Sequence, residues 1–218
     1  EKAKVLHWNQ YTECLAPCRQ KCPAQINIPK YINFIKEGKY ADALLTIKER
    51  NPLPLVCGRV CPEPCALACR RQIEDEPVAI NYLKRFVADW EMERGKRLHI
   101  PVAPSTGKKV AIIGSGPAGL TAAFFLRRLG HQVSIFEKRS KLGGMLRYGI
   151  PEYRLPKKVL DWEIEGILEL GIEATTNVGF GTDFTMDFLR AEGFDAVFMG
   201  VGAWNEYRLE IEGSDTRG

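Results

Sequence analysis

The run Val110-Ala-Ile-Ile-Gly114-Ser115-Gly116-Pro117-Ala118-Gly119-Leu120 decides the fold of the second half of the chain. Its first four residues predict a short buried strand, and the apolar residues that follow the third glycine predict a packed helix. Gly114 permits a tight turn, Gly116 lets backbone approach a pyrophosphate, and Gly119 allows close contact between strand and helix. The N-terminus of that helix offers free N–H groups and the positive end of a dipole. We interpret the run as a dinucleotide-binding turn, with a plain βαβ packing turn as the alternative.

An acidic residue and a second glycine pair extend this pattern. A second predicted strand, residues 133–136, is followed by Glu137, 23 residues after Gly114. A carboxylate at this distance accepts hydrogen bonds from an adenosine ribose, and it does not distinguish NAD from FAD. Gly143 and Gly144 come soon afterwards and allow another backbone approach to the diphosphate. The pair favours FAD, although glycine pairs also occur in ordinary turns.

Composition and charge exclude several classes of protein. The 218 residues, 45% hydrophobic and 27% charged, give room for one large or two modest domains. The net charge of +4 is too small to predict binding to nucleic acid. No apolar run approaches the ~18 residues of a membrane span, and no secretory signal precedes the cysteines. The sequence predicts a cytoplasmic protein.

The cysteines are confined to the first 69 residues. They form a triplet and a quartet at four-residue intervals: Cys14, Cys18, Cys22, Cys57, Cys61, Cys65 and Cys69. An odd, clustered set without a signal peptide argues against a disulfide framework and favours reduced thiolates that bind metal. Pro62 and Pro64 forbid one continuous helix through the quartet, so its thiols can converge from a loop and a short helix.

Three interpretations of these thiols compete. Structural zinc takes four ligands per ion and leaves three cysteines unused. Buried cysteines without metal do not require strict four-residue spacing. Iron–sulfur ligation fits best, because two four-iron clusters need eight ligands and Cys-Pro is a familiar cluster-binding dipeptide. Basic residues beside the ligands agree with an anionic cluster, or are simply solvated surface.

The remaining pattern predicts the other elements and the domain division. Tyr40, Ala43, Leu44 and Ile47 form one apolar stripe of a helix. Further helices are predicted at 77–93, 156–170 and about 184–191, a strand at 172–178, and a buried strand from 196 that ends in glycines up to Gly202, where it can line a cofactor crevice. We therefore predict an α-helical iron–sulfur domain (1–100), a linker (101–107) and the N-terminal part of a Rossmann-like α/β FAD domain (108–218).

The order of these features resembles a known family. A cysteine-rich helical domain, a linker and Gly-x-Gly-Pro-Ala-Gly-Leu are similar to the small subunit of glutamate synthase, the N-terminal half of dihydropyrimidine dehydrogenase and the large subunit of NADH-dependent ferredoxin:NADP oxidoreductase. The matching stretches, which together cover residues 14–203, are Cys22-Pro23, Asn51-Pro52-Leu53, 56–62, Cys65-x3-Cys69, 143–146, 148–151 and 198–202.

The resemblance implies two [4Fe-4S] clusters and an FAD that NAD(P)H reduces in the complete protein, with electrons passing to a partner subunit or domain. It implies one cluster at Cys14, Cys18 and Cys69 and another at Cys22, Cys61 and Cys65, with Cys57 as a further candidate. The implied FAD contacts are Gly114, Ser115, Gly116, Pro117, Ala118, Gly119, Glu137, Lys138, Gly143, Gly144, Met145, Arg154 and backbone near Val178. It assigns no catalytic side chain, because the cofactors carry the chemistry.

The chain departs from the family in two ways. Gln10 and Glu13 stand where family cysteines fall, and Lys84 stands where some relatives have a glutamine or glutamate ligand. The eighth cluster ligand could then be Glu13, His7 or an upstream residue, or one cluster is absent. No second Gly-x-Gly-x-x-Gly occurs, so we expect the NAD(P)H-binding domain to lie outside this chain and the chain to be a fragment.

The sequence as a whole predicts an iron–sulfur flavoprotein oxidoreductase module. A non-catalytic subunit that binds clusters and nucleotide within a larger redox complex is the main alternative. A zinc-stabilised βαβ scaffold is a more distant one.

Overall fold

A computed structural model describes residues 15–204. The first part of this range is helical, with α1 (Pro17–Lys21), α2 (Ile28–Lys36), α3 (Tyr40–Lys48), α4 (Pro54–Val60), α5 (Pro64–Leu67) and α6 (Ile80–Glu93). Proline stands in the first turn of α1, α2, α4 and α5, where its missing N–H costs nothing. Cys14, the other candidate ligands His7 and Glu13, and Gln10 lie outside the described residues.

A small core of its own holds the helical part together. The apolar stripe predicted on α3 is confirmed, because Ala43, Leu44 and Ile47 are fully buried. Tyr31 on α2 is also buried, and its hydroxyl donates to the carbonyl of Ile80 at the start of α6 (2.8 Å). The helices α2, α3 and α6 therefore form a packed support beneath the cysteine segment.

The cysteine quartet is divided by a sharp break, as the prolines predict. Helix α4 ends at Val60, and Cys61 has extended backbone angles (φ −66°, ψ 135°). Glu63 then adopts a left-handed conformation (φ 57°), and α5 begins at Pro64. The break turns the chain so that Cys61 and Cys65 can face the same side.

The second part is a parallel α/β unit. Its strands are β1 (Lys109–Ile113), β2 (Gln132–Glu137), β3 (Glu173–Thr176) and β4 (Ala196–Met199), in the order β3-β2-β1-β4 with all pairs parallel. The helices are α7 (Pro117–Arg128), α8 (Met145–Tyr148), α9 (Lys157–Leu168) and α10 (Met186–Ala191). Strand order and direction are those of a Rossmann-like fold, in which ligands bind at the carboxyl ends of the strands.

The prediction that the last strand is buried is wrong. Phe198 is 38% exposed and Met199 is 50% exposed. The reason is position, because β4 is an edge strand that pairs only with β1 among the residues that the structure describes. An apolar run at an edge has the same composition as one in the centre of a sheet, so the sequence pattern did not separate them.

One hydrophobic cluster includes residues from both parts. Leu53 and Val56 from the helical part pack in the same cluster as Ile112 of β1 and Leu160 and Ile164 of α9. The 101–107 segment is hydrogen-bonded to the α/β unit, for example from the Ala103 N–H to the Arg128 carbonyl (2.9 Å). The proposed domain boundary stays a prediction. Over residues 15–204, no helix has both the length and the apolar character needed to span a bilayer.

Candidate functional site

The glycine turn brings β1, α7 and β4 into close contact. A Cβ on Gly119 would lie 1.9 Å from the Gly114 carbonyl oxygen, and one on Gly114 (φ 97°) would lie 2.5 Å from the Gly200 carbonyl oxygen. Any side chain at either position would therefore force the backbone apart. A Cβ on Gly116 would meet nothing closer than the Gly144 Cα at 4.0 Å. Gly116 is thus free of steric demand from the protein itself, and its open side faces a cavity.

The second glycine pair lies against this turn. Gly143 and Gly144 both have positive φ (118° and 50°), which favours glycine. A Cβ on Gly144 would lie 2.7 Å from the Gly116 Cα. The Gly143 N–H donates to the Ser115 carbonyl (3.1 Å), which fixes the two glycine segments together. Two stretches of bare backbone therefore form one wall, as a diphosphate cradle requires.

Glu137 is the buried hub of this wall. One carboxylate oxygen accepts from the Ser115 N–H (2.9 Å) and the Ser115 hydroxyl (2.5 Å), and the other accepts from the Arg139 N–H (2.8 Å). Only 5% of Glu137 is exposed. A carboxylate has about four acceptor positions, so three are satisfied by the protein and one remains for a ligand hydroxyl. Glu137 therefore orders the turn as well as offering an acceptor.

A cavity of about 610 Å³ opens at the carboxyl ends of the strands. Its volume is that of a site for a cofactor or a similar small molecule. The first residues of α7 line one side, so the helix N-terminus meets the cavity where an anion would be held. The lining also includes the aromatic side chains of Phe136, Phe180 and Trp204. Such a lining suits a ligand that carries both a charged group and a flat apolar group.

Most of the sequence-predicted nucleotide contacts line this cavity, namely Gly114, Ser115, Gly116, Pro117, Ala118, Glu137, Lys138, Gly144, Met145, Val178 and Gly202. Gly119 and Gly143 lie directly behind the wall instead. Arg154 is exposed on a turn and is not among the lining residues. All of these assignments remain predictions.

The sequence pattern missed two aromatic residues of the cavity. Phe180 lies in a loop without a motif, and Trp204 follows the last strand. The Arg139 guanidinium stacks on the Trp204 ring (4.6 Å to its centroid) and also faces Tyr148 (5.5 Å). A lone tryptophan in an irregular segment gives no sequence signal, because its role depends on this tertiary stack.

Three thiols of the helical part lie around a second, smaller cavity. Cys22, Cys61 and Cys65, here called the three-thiol group, line one small cavity together with Tyr31 and Lys84. Burial raises the pKa of Cys65, Cys22 and Cys61 raise it further, and the charge of Lys84 lowers it. The thiols are therefore close enough to interact electrostatically. They come from three segments of the chain, which is the usual construction of a cluster site.

Cys18 and Cys69 form a neighbouring pair. Burial raises the pKa of Cys18, and both Cys69 and Cys22 add to that increase. Helix α1, which carries Cys18, packs on α5, which ends just before Cys69. The grouping matches the one that the family resemblance implies, with Cys14 outside the described residues.

Cys57 does not line the three-thiol cavity. Its thiol lies 3.6 Å from the Asn51 side-chain oxygen, to which it donates. Burial raises the pKa of Cys57, the charge of Lys84 lowers it, and Cys61 of the three-thiol group raises it. Its place among the cluster ligands stays a prediction.

The donor set fits iron–sulfur chemistry. All six described cysteines are free thiols. Within residues 15–204, no set of three or more His, Cys, Asp or Glu side chains is spaced to hold a single metal ion. An iron–sulfur cluster is larger than a single ion, so its thiolate ligands stand further apart. The sulfur donors around the three-thiol cavity are Cys22, Cys61 and Cys65. The chemistry of the donors is therefore that of a cluster site.

Two protein-family models match the chain. The model described as dihydropyrimidine dehydrogenase domain II, 4Fe-4S cluster, matches residues 9–96. The model described as an NAD(P)-binding Rossmann-like domain matches residues 112–170. The first covers the cysteine-bearing helices, and the second covers the glycine turn, Glu137 and α9.

Several characterised proteins are similar over most of this chain. The beta subunit of NADP(+)-dependent formate dehydrogenase from Moorella thermoacetica is 45% identical over 92% of this chain and 31% of its own length. The PreT subunit of NAD-dependent dihydropyrimidine dehydrogenase from Escherichia coli K12 is 44% identical over 86% of this chain and 45% of its own. The small chain of NADPH glutamate synthase from Bacillus subtilis is 40% identical over 90% and 40%. The chain spans less than half the length of each of these relatives.

Proposed function

We propose that this chain is an electron-transfer module that holds [4Fe-4S] clusters and FAD. Over its matched residues the chain belongs to the family of iron–sulfur oxidoreductase subunits that includes the glutamate synthase small chain and the PreT subunit of dihydropyrimidine dehydrogenase. NAD(P)H is the electron donor of the complete protein in this proposal, and a partner subunit or domain is the acceptor. The free thiols support a reducing, cytoplasmic setting.

The glycine cradle is assigned to FAD. The Rossmann-like match does not separate FAD from NAD(P), since both carry an adenosine diphosphate. The second glycine pair against Gly116 and the three aromatic residues of the cavity lining favour the flavin. When bound, FAD accepts a hydride and releases single electrons, which no side chain can do.

The chain's own residues provide binding and order. Gly116 and the N-terminus of α7 are placed to hold a diphosphate, and Glu137 keeps a remaining acceptor for a ribose hydroxyl. Cys22, Cys61 and Cys65 supply thiolates for one cluster, and Cys18 and Cys69 supply thiolates for a second. The proposal assigns no side chain as a general acid or base.

One observation carries this proposal: helix α9 contacts both the glycine cradle and the start of α4, the helix that ends beside Cys61. Leu160 and Ile164 of α9 lie 3.2 and 3.4 Å from where a Gly143 Cβ would be. Between them in the sequence, the buried Glu163 side chain accepts from the N–H groups of Leu55 (2.7 Å) and Val56 (2.8 Å). Those two residues begin the helix that leads to Cys61. One rigid element therefore joins the nucleotide cradle to the thiol segment.

The second candidate function is a non-catalytic subunit that binds clusters within a redox complex. It is favoured by the Glu137 carboxylate, because three of its acceptor positions are already used by the protein. Such a subunit would hold iron and sulfide without flavin.

A stepwise anaerobic reduction of the purified protein with dithionite tests the proposal. We expect flavin absorbance to bleach and cluster signals to grow in electron paramagnetic resonance spectra of the same sample. Cluster signals without flavin bleaching would favour the second candidate. A colourless protein that contains zinc would contradict both and support a zinc-stabilised scaffold.

A further inference from the structure

A buried lysine stands where the three-thiol group would be expected to have another donor. Only 7% of Lys84 is exposed, and it lines the same cavity as Cys22, Cys61 and Cys65. A charged group is rarely buried without a partner of opposite charge, because its loss of hydration must be offset. The position of Lys84 therefore needs an anion nearby.

No carboxylate in the described range supplies that anion. Across residues 15–204, no hydrogen bond or ion pair joins the Lys84 ammonium to another group. Two neighbouring residues of α6 have partners. Arg85 is exposed and pairs with Asp89 (3.2 Å), and Asn81 donates to the Gly58 carbonyl (3.2 Å) and to Glu63 (3.1 Å). Among the charged residues of α6, Lys84 is the one that lines the three-thiol cavity.

The thiols are the negative partners that remain. Cys22, Cys61 and Cys65 line one cavity with Lys84, and no carboxylate is among the described residues of that lining. Three thiolates around one cavity carry three negative charges, and a protonated lysine has no lone pair with which to ligate a metal. Its contribution to this site is positive charge.

We propose that Lys84 is the internal counter-charge of the Cys22–Cys61–Cys65 site, which raises the reduction potential of the cluster held there and leaves that cluster with three thiolate donors from this group. The proposal rests on the proposed function and adds the identity of the residue that sets the potential. A fixed positive charge close to a cluster favours its reduced form, because the added electron is attracted to the charge. Burial strengthens this effect, since the low local dielectric screens it little.

The test compares Lys84→Met with Lys84→Arg in the full chain, purified without oxygen. Methionine keeps the length of the side chain and removes the charge, and arginine keeps the charge. The control is Arg85→Met, which removes a positive charge from the same helix at an exposed, ion-paired position. The reduction potential of each cluster is followed by electron paramagnetic resonance during a redox titration, together with iron and sulfide content.

We expect Lys84→Met to retain the iron of the parent protein and to be reduced with an equilibrium constant at least tenfold lower, which is a decrease of about 59 mV for one electron. Lys84→Arg and Arg85→Met should stay within threefold of the parent. If Lys84→Met does not fold, Lys84→Leu provides the same loss of charge with a side chain that cannot ligate iron. A neutral variant with the potential of the parent would overturn the proposal. A parent protein without iron would instead contradict the proposed function, and the counter-charge proposal would fall with it.

Discussion

Gly116 and Gly144 face each other in the nucleotide cradle but carry different constraints. A Cβ on Gly144 would lie 2.7 Å from backbone, and its φ of 50° is unfavourable for other residues. Gly116 has an ordinary φ of −67° and no atom within 4 Å of its Cβ position except the Gly144 Cα at that limit. Gly144 is therefore required by the fold, whereas Gly116 is required only by the ligand.

Substitution at these two glycines should separate binding from folding. We expect Gly116→Val to lose retained flavin while its thermal midpoint stays within a few degrees of that of the flavin-free parent, because the added side chain points toward the cavity. We expect Gly144→Ala to be destabilised by about 1–3 kcal/mol, the typical cost of overpacking. Thermal unfolding and flavin content of both variants provide the measurement. Full flavin content in Gly116→Val would remove this turn from the binding site.

The Glu137 carboxylate is the other group that should contribute to nucleotide binding. Glu137→Ala should weaken FAD binding by about 1.5–3 kcal/mol, as for a hydrogen bond to a charged group. The matched control is Glu192→Ala, an exposed glutamate beyond α10. Titration of the flavin-free proteins with FAD measures both affinities. Equal affinities would mean that the ribose is held elsewhere.

At the scale of elements, helix α9 depends on one buried carboxylate. Burial raises the pKa of Glu163 to about 8, although the N–H groups of Val56 and Leu55 act in the opposite direction. The folded protein then holds a proton that the unfolded chain releases near the ordinary pKa of 4.5. Between about pH 5 and pH 8 the folded state binds more protons, so stability falls as the pH rises.

Replacing the titrating Glu163 by glutamine should remove its share of this pH dependence. The parent's free energy of unfolding should decrease with pH in that window by up to about 1.4 kcal/mol per pH unit from this group. The glutamine variant should show a shallower slope, whatever its stability at a single pH. Denaturant unfolding at several pH values measures both slopes. Equal pH slopes for the parent and Glu163→Gln would show that Glu163 does not titrate in this pH range.

The elements that the sequence predicted are those fixed by local chemistry. The glycine turn and the proline break after Cys61 follow from backbone constraints that operate within a few residues. Glu163 could not be identified in advance, because its partners are Leu55 and Val56, more than 100 positions away. The exposure of β4 could not be predicted either, since an edge position is set by the order of the strands in the sheet rather than by composition.

At the scale of the whole molecule, the thiols divide into groups that the spacing did not separate. Cys65 lines the three-thiol cavity, whereas Cys57 donates to Asn51 outside it. We expect Cys65→Ser to lose about four irons per chain, the content of one cluster, and Cys57→Ser to keep them. Iron analysis of both variants decides the matter. A loss of iron in Cys57→Ser equal to that in Cys65→Ser would make Cys57 a ligand.

In the proposed function, one chain holds iron–sulfur clusters in its helical part and a flavin in its α/β part. Counting iron, acid-labile sulfide and FAD on a single anaerobic sample of the protein measures all three cofactor components at once. We expect iron and sulfide in equal amounts, about four or eight of each per chain, together with about one FAD. A sample with neither sulfide nor flavin would contradict the proposed function.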